Sequence, residues 1–138
     1  MITRTFTIIK PDSVEKGNFG KITARLEGEG FRILALRRTR LTREQAEAFY
    51  GVHRERPFFP DLVKYMTSGP VFVAALERED AVPHLRRVMG ATDPGKADTG
   101  TIRSEFGESI ERNAIHGSDS PENAEIEIHF FFPDSELL

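Results

Sequence analysis

The chain has 138 residues, 38% apolar and 30% charged, with a formal net charge of −3 and no cysteine. A chain of this size buries a real core without staples, its charge disfavours a general polyanion binder, and the missing cysteines exclude disulfides, thiolate zinc sites and a cysteine nucleophile. It shows no apolar leader and no run of the roughly 20 apolar residues that a membrane helix needs, so a single cytoplasmic domain spanning residues 1–138 is expected.

Thr3 to Ile9 alternates around Phe6 and Ile8 and predicts a strand, which Pro11 ends because proline cannot donate to a sheet ladder. Ile22 and Leu26, four apart and followed by Gly28 and Gly30, predict an amphipathic helix with a glycine stop. Phe31 to Leu41 alternates again, with Phe31, Ile33 and Ala35 opposite Arg32, Leu34 and Leu36. Thr42-Arg43-Glu44-Gln45 has the form of a capping box and starts a helix through Ala46, Phe49 and Tyr50. A further helix is expected from Phe59 to about Met66, then a turn at Ser68-Gly69-Pro70. The apolar run Val71 to Leu76 predicts a buried strand. Glu79 to Met89 reads as a helix with Pro83 in its first turn.

Gly90 to Ile102 reads as a long loop centred on Thr92-Asp93-Pro94-Gly95, and loops of this length are often functional. A short strand is possible before Ser120-Pro121-Glu122, which is a strong helix start. That helix carries Ala124 to Ile128, and Phe130, Phe131 and Phe132 follow as core filler. Strands interleaved with helices indicate an α/β or α+β sandwich.

Two glycine-rich stretches fail as nucleotide motifs. Gly17-Asn18-Phe19-Gly20-Lys21 lacks glycine at Glu15 and a hydroxyl at Ile22, both required by a phosphate-binding loop. Gly28-Glu29-Gly30 has Ile33 in place of the third glycine of a dinucleotide fingerprint. His53, His84, His116 and His129 lack the spacing of a recognised metal-binding motif.

The segment able to carry chemistry is Asn113-Ala114-Ile115-His116-Gly117-Ser118-Asp119-Ser120. Glycine beside a histidine permits close approach, and the helix after Ser120 offers free N–H groups and a positive dipole end. Glu127, about two turns into that helix, is able to hold one imidazole nitrogen if the fold brings it there. A histidine so held keeps its other lone pair for attack. The bland reading of the same residues is a surface turn with an ordinary helix cap.

This run resembles the active-site signature of nucleoside diphosphate kinases. Thr5 to Ser13 is similar to the family's first strand and its following lysine. Arg56-Pro57-Phe58-Phe59, Leu62 to Met66 and Ser68-Gly69-Pro70 resemble its nucleotide-gripping helices and turn. Gly90 to Pro94 and Gly100 to Arg103 resemble its long loop. The resemblance spans nearly the whole chain in order.

It implies an α+β fold: a ferredoxin-like βαββαβ sandwich whose four-stranded antiparallel sheet is covered by helices. It also implies γ-phosphoryl transfer from a nucleoside triphosphate, usually ATP, to a nucleoside diphosphate by a ping-pong route through phosphorylated His116. Ser118 and Glu127 would orient His116. Lys10, Tyr50, Arg86, Thr92, Arg103 and Asn113 would line the phosphate and ribose site, Lys10 also being catalytic. Arg86 is preferred to Arg87 because it stands six residues before Thr92. Phe58 and Leu62 would hold the base. Mg²⁺ would be held mainly by the nucleotide phosphates, with no metal ligand expected from protein side chains. A homo-oligomer, tetramer or hexamer, is implied, with no nucleic acid or membrane partner required. The alternatives are a catalytically silent nucleotide-binding or interaction protein of the same fold and a ferredoxin-like RNA-binding module; the negative charge and core-facing Phe6 and Phe72 oppose the latter.

Overall fold

A computed structural model describes all of residues 1–138. Strand β1 (Ile2–Ile9), helix α1 (Pro11–Glu15) and helix α2 (Phe19–Gly28) lead into strand β2 (Arg32–Thr39). Helices α3 (Arg43–Phe49) and α4 (Phe59–Met66) precede strand β3 (Val71–Glu79) and helix α5 (Ala81–Met89). Helix α6 (Ile102–Phe106), the short strand β4 (Ile115–Gly117) and helix α7 (Pro121–Phe131) follow. The strands form one sheet in the order β2-β3-β1-β4, antiparallel at every pairing. This is the expected α+β, ferredoxin-like βαββαβ arrangement with added helices.

Successive strand side chains point to opposite faces, and β1 and β3 therefore feed two apolar cores. Phe6, Ile8, Val71, Val73 and Ala75 meet Ala46, Val63, Met66, Ile128 and Phe131 on one face. Ile9, Ala74 and Leu76 meet Ile22, Leu26, Leu85 and Ile102 on the other. The continuous apolar run of β3 fits its place in the middle of the sheet. No helix is long and apolar enough to cross a membrane.

Several local expectations change. Helix α1 is absent from the sequence reading, although Pro11 in its first turn has φ preset for a helix. Helix α6 is also additional; it starts at Thr101, whose hydroxyl accepts from Ser104 N–H at 3.3 Å. Strand β3 runs on to Glu79, paired with Ile2 of β1, so α5 begins only at Ala81 after Asp80 turns the chain at φ 50°. The alternation expected in β2 breaks at an irregularity between Ile33 and Ala35. Ile33 packs against one core, whereas Leu34 and Ala35 go to the other. Phe131 and Phe132 fill the core, but Phe130 points outward at 39% exposure.

The capping box at Thr42 is present in full: its hydroxyl accepts from Gln45 N–H at 3.1 Å, and the Gln45 side chain accepts from Thr42 N–H at 2.9 Å. Thr42→Ala removes the first bond and loosens the second, and is expected to cost about 1 kcal/mol, read as a lowered denaturation midpoint with an unchanged denaturant slope.

Candidate active site

Strand β4 lies along β1 with His116 opposite Ile8. Its imidazole stands among the rings of Phe6, Phe49 and Tyr50, with centroids 6.2, 5.4 and 6.3 Å away. Glu127, from α7, holds Nε2 through Oε1 at 2.8 Å. The Ser118 hydroxyl donates to the same carboxylate oxygen at 2.7 Å. A neutral ring in this contact carries its hydrogen on Nε2 and keeps the Nδ1 lone pair free.

His116 forms part of the wall of a cleft of about 500 Å³. Lys10, Tyr50, Phe58, Leu62, Arg86, Thr92, Arg103 and Asn113 line it too. Every residue named from the sequence as nucleotide-binding is thus gathered around one space. Ser118 and Glu127 stand behind the imidazole, outside this lining. His53, Ile110 and Glu111 also line the cleft, and the sequence assigns none of them to a site. His53, at the end of a single 3-10 turn, sits 5.4 Å from the Phe58 ring, and segments this short carry no periodic signal.

Two of the cationic side chains, Lys10 and Arg103, are held by backbone and amide oxygens. The buried Lys10 ammonium donates to Asn113 Oδ1 at 2.7 Å, and Asn113 Nδ2 donates to Thr92 O at 3.0 Å. Arg103, likewise buried, donates to Gly90 O at 3.1 Å and Ile115 O at 2.8 Å, leaving Nε without a protein partner. Burial holds the Lys10 ammonium down to about 8, the Arg103 charge acting in the same direction. Burial, then Arg86, holds the Arg103 guanidinium down to about 10. The Tyr50 hydroxyl is buried without a protein partner and is pushed above the usual phenol range by burial, then by Glu127.

Two glycines fit this framework. Gly90 ends α5 at φ +87°, and a Cβ there would meet Thr101 Oγ1 at 2.5 Å. At Gly117 a Cβ would meet Met89 Sδ at 2.7 Å. The room that Gly117 leaves beside His116 is therefore taken by α5. Ser120 serves as the cap of α7, accepting from Asn123 N–H at 3.1 Å. The glycine-rich stretch rejected as a phosphate loop is the start of α2, with Asn18 at its cap position.

The nucleoside diphosphate kinase family model matches residues 3–137. The chain belongs to the nucleoside diphosphate kinase family. It is an enzyme, a phosphotransferase that moves a phosphoryl group between nucleotides. A nucleoside diphosphate kinase of Maricaulis maris is 60% identical, over 99% of this chain and 98% of its own. One from Granulibacter bethesdensis is 61% identical, over 99% and 98%. The crystal structure of the Aquifex aeolicus nucleoside diphosphate kinase superposes with TM-score 0.97 at 50% identity, covering all of both chains. A halophilic nucleoside diphosphate kinase from Halobacterium salinarum, solved in complex with CDP, superposes with TM-score 0.95 at 42% identity, covering 100% of this chain and 92% of its own.

Of the two adjacent arginines, Arg86 lines the cleft with His116. Arg87 lies at 3.2 Å from His84 Nδ1 on the exposed face of α5. Lys10 is charged below pH about 8 and loses its charge above it. At one pH unit above that point about a tenth of the ammonium remains. ADP affinity is therefore expected to fall by up to about tenfold between pH 7 and pH 9, binding drawing a proton back onto Lys10. Calorimetric titration checks this, and Lys10→Met should flatten the profile.

Proposed function

We propose that this kinase works by a ping-pong relay through His116. His116 Nδ1 attacks the γ-phosphorus of a nucleoside triphosphate, usually ATP. An N–P bond forms as the bond to the bridging oxygen breaks, and the diphosphate leaves with that electron pair. A different nucleoside diphosphate then attacks the phosphohistidine through its terminal oxygen and departs as a triphosphate. The observation that carries this reading is the His116–Glu127 contact at 2.8 Å on the wall of a cleft shared with Lys10, Arg86 and Arg103.

Phosphoryl transfer demands positioning and charge stabilisation above all. In this reading Lys10, Arg86 and Arg103 take the charge of the phosphates, and Thr92 and Tyr50 add hydroxyl donors. Lys10 and Asn113 also meet the ribose hydroxyls. Glu127 and Ser118 hold the imidazole in its tautomer and orientation. Phe58, 48% exposed, and the half-buried Leu62 offer the base a stacking and packing surface. Every base has a π face, so this surface accepts purines and pyrimidines alike.

Mg²⁺ suits this cleft only in company with the nucleotide: the three cations repel a bare metal ion, and the phosphates supply the oxygens that Mg²⁺ prefers. When bound there, it would neutralise charge on the phosphate chain. A homo-oligomer, tetramer or hexamer, belongs to the same reading. The exposed apolar side chains of Leu36, Ile126 and Phe130 support it, and light scattering counts the chains.

Incubation with γ-labelled ATP and Mg²⁺ tests the relay. The wild type should acquire acid-labile, alkali-stable label that passes to added GDP, and His116→Ala should acquire none. Glu127→Ala should slow labelling by roughly a hundredfold, because an unheld imidazole loses its attack geometry. An unlabelled, folded, nucleotide-binding wild type would overturn the relay.

A further inference from the structure

The residue two before the nucleophile has an unusual backbone. Ala114 is fully buried and lies at φ +78°, a region that L-residues with a Cβ rarely occupy. Ile115 N–H donates across it to Asn113 O at 3.0 Å, making a γ-turn of the uncommon positive-φ kind. Immediately before this turn is Asn113, which binds Lys10 and Thr92; immediately after it is β4, which carries His116. The direction in which both point is therefore fixed by a conformation that an alanine does not prefer.

Outside contacts hold both polar groups of Ala114. Its carbonyl accepts from Lys10 N–H at 2.9 Å, and its N–H donates to Asp12 Oδ2 at 3.1 Å. Asp12 is 1% exposed, an unusual position for an aspartate without a cationic partner. Its other oxygen accepts from the Tyr65 hydroxyl, while Asp12 N–H donates to that hydroxyl at 3.3 Å. Burial, then the bond to Asp12, pushes the Tyr65 hydroxyl above its ordinary range and keeps it a donor at working pH. The Arg112 guanidinium lies 5.2 Å from the Tyr65 ring centroid and donates to Glu108 at 3.0 Å. Tyr65 belongs to α4, the helix that also carries Leu62.

We propose that Asp12 and Tyr65 are positioning residues for phosphoryl transfer: together they hold the Ala114 turn closed and thereby aim His116 and Asn113 into the cleft. Neither lines the cleft, and neither touches the imidazole. They act through the backbone of Ala114, and they join the helix proposed to seat the base to the strand that carries the nucleophile. The inference rests on the reading of His116 as phosphate acceptor.

The test is single-turnover phosphorylation of the full-length enzyme by γ-labelled ATP with Mg²⁺. Rates are expressed per folded molecule, well below the melting temperature. Tyr65→Phe keeps the ring and removes the hydroxyl; Asp12→Asn keeps the shape and removes one acceptor. Tyr65→Phe should slow His116 phosphorylation at saturating ATP about tenfold, and Asp12→Asn by more, as small misplacements of a reacting group do. Adding Ala114→Gly to either should restore much of the rate, because glycine adopts positive φ without help from the carboxylate. Folded variants that melt at lower temperature yet label at the wild-type rate would overturn the proposal, since Asp12 and Tyr65 would then only stabilise the fold. Slow labelling that glycine at position 114 leaves unchanged would overturn it too, because the loss would not run through the turn. Absence of label in the wild type would instead defeat the histidine relay, so the two failures are distinct.

Discussion

Strand β1 is hydrogen-bonded along both edges, to β3 and to β4, and the site depends on that double pairing. Its body puts Phe6 and Ile8 into one core and Ile9 into the other. Its end delivers Lys10 and, through Pro11, the buried Asp12. Its pairing with β4 sets His116 opposite Ile8 and leaves the imidazole on the face covered by α7, where Glu127 waits. A one-residue slip in that register would turn the imidazole to the opposite face, toward α5. A strand of three residues has little stability of its own. It is held by β1, by the Thr7 hydroxyl donating to His116 O at 2.7 Å, and by Arg103 donating to Ile115 O.

The electrostatics of the cleft run against those of the whole molecule. The chain is net negative, yet Lys10, Arg86 and Arg103 share one cleft. Burying a cation costs free energy unless partners compensate. Here much of the compensation comes from neutral oxygens: Asn113 for Lys10, and the carbonyls of Gly90 and Ile115 for Arg103. Neutral acceptors fix the side chains in place without cancelling their charge. Burial, with a neighbouring cation acting in the same direction, lowers the basicity of Lys10 and Arg103, and a polyphosphate is the ligand class whose charge answers it.

The apolar end of the cleft is built differently. Phe58 and Ile110 are largely exposed and Leu62 is half-buried. A surface of this kind grips a ring by its faces and reads little of its edge, and an enzyme that exchanges phosphoryl groups among many nucleotides has no use for edge recognition. In the proposed relay, specificity and rate are thus divided in space, with strict geometry around the phosphates and permissive packing around the base.

The sequence by itself determined most of the local elements, and its resemblance to a family supplied the candidate residues of the site. Short-range energetics write the local features: the Thr42 box, the cap at Ser120, the proline after β1 and the apolar run of β3. Tertiary structure alone decided which polar atoms meet. Glu127 reaches His116 only because α7 packs against the sheet beside β4. Arg103 belongs to the site because α6, which has no periodic pattern to betray it, turns it onto β4. Asp12, Tyr65 and Ala114 stand far apart in sequence, and no spacing rule links them. The break in β2 likewise came from pairing with β3, where an extra residue shifts the alternation. Propensities and caps act within a turn or two of the chain, so they are legible in order; hydrogen bonds between distant segments exist only once the sheet has closed, so they are not.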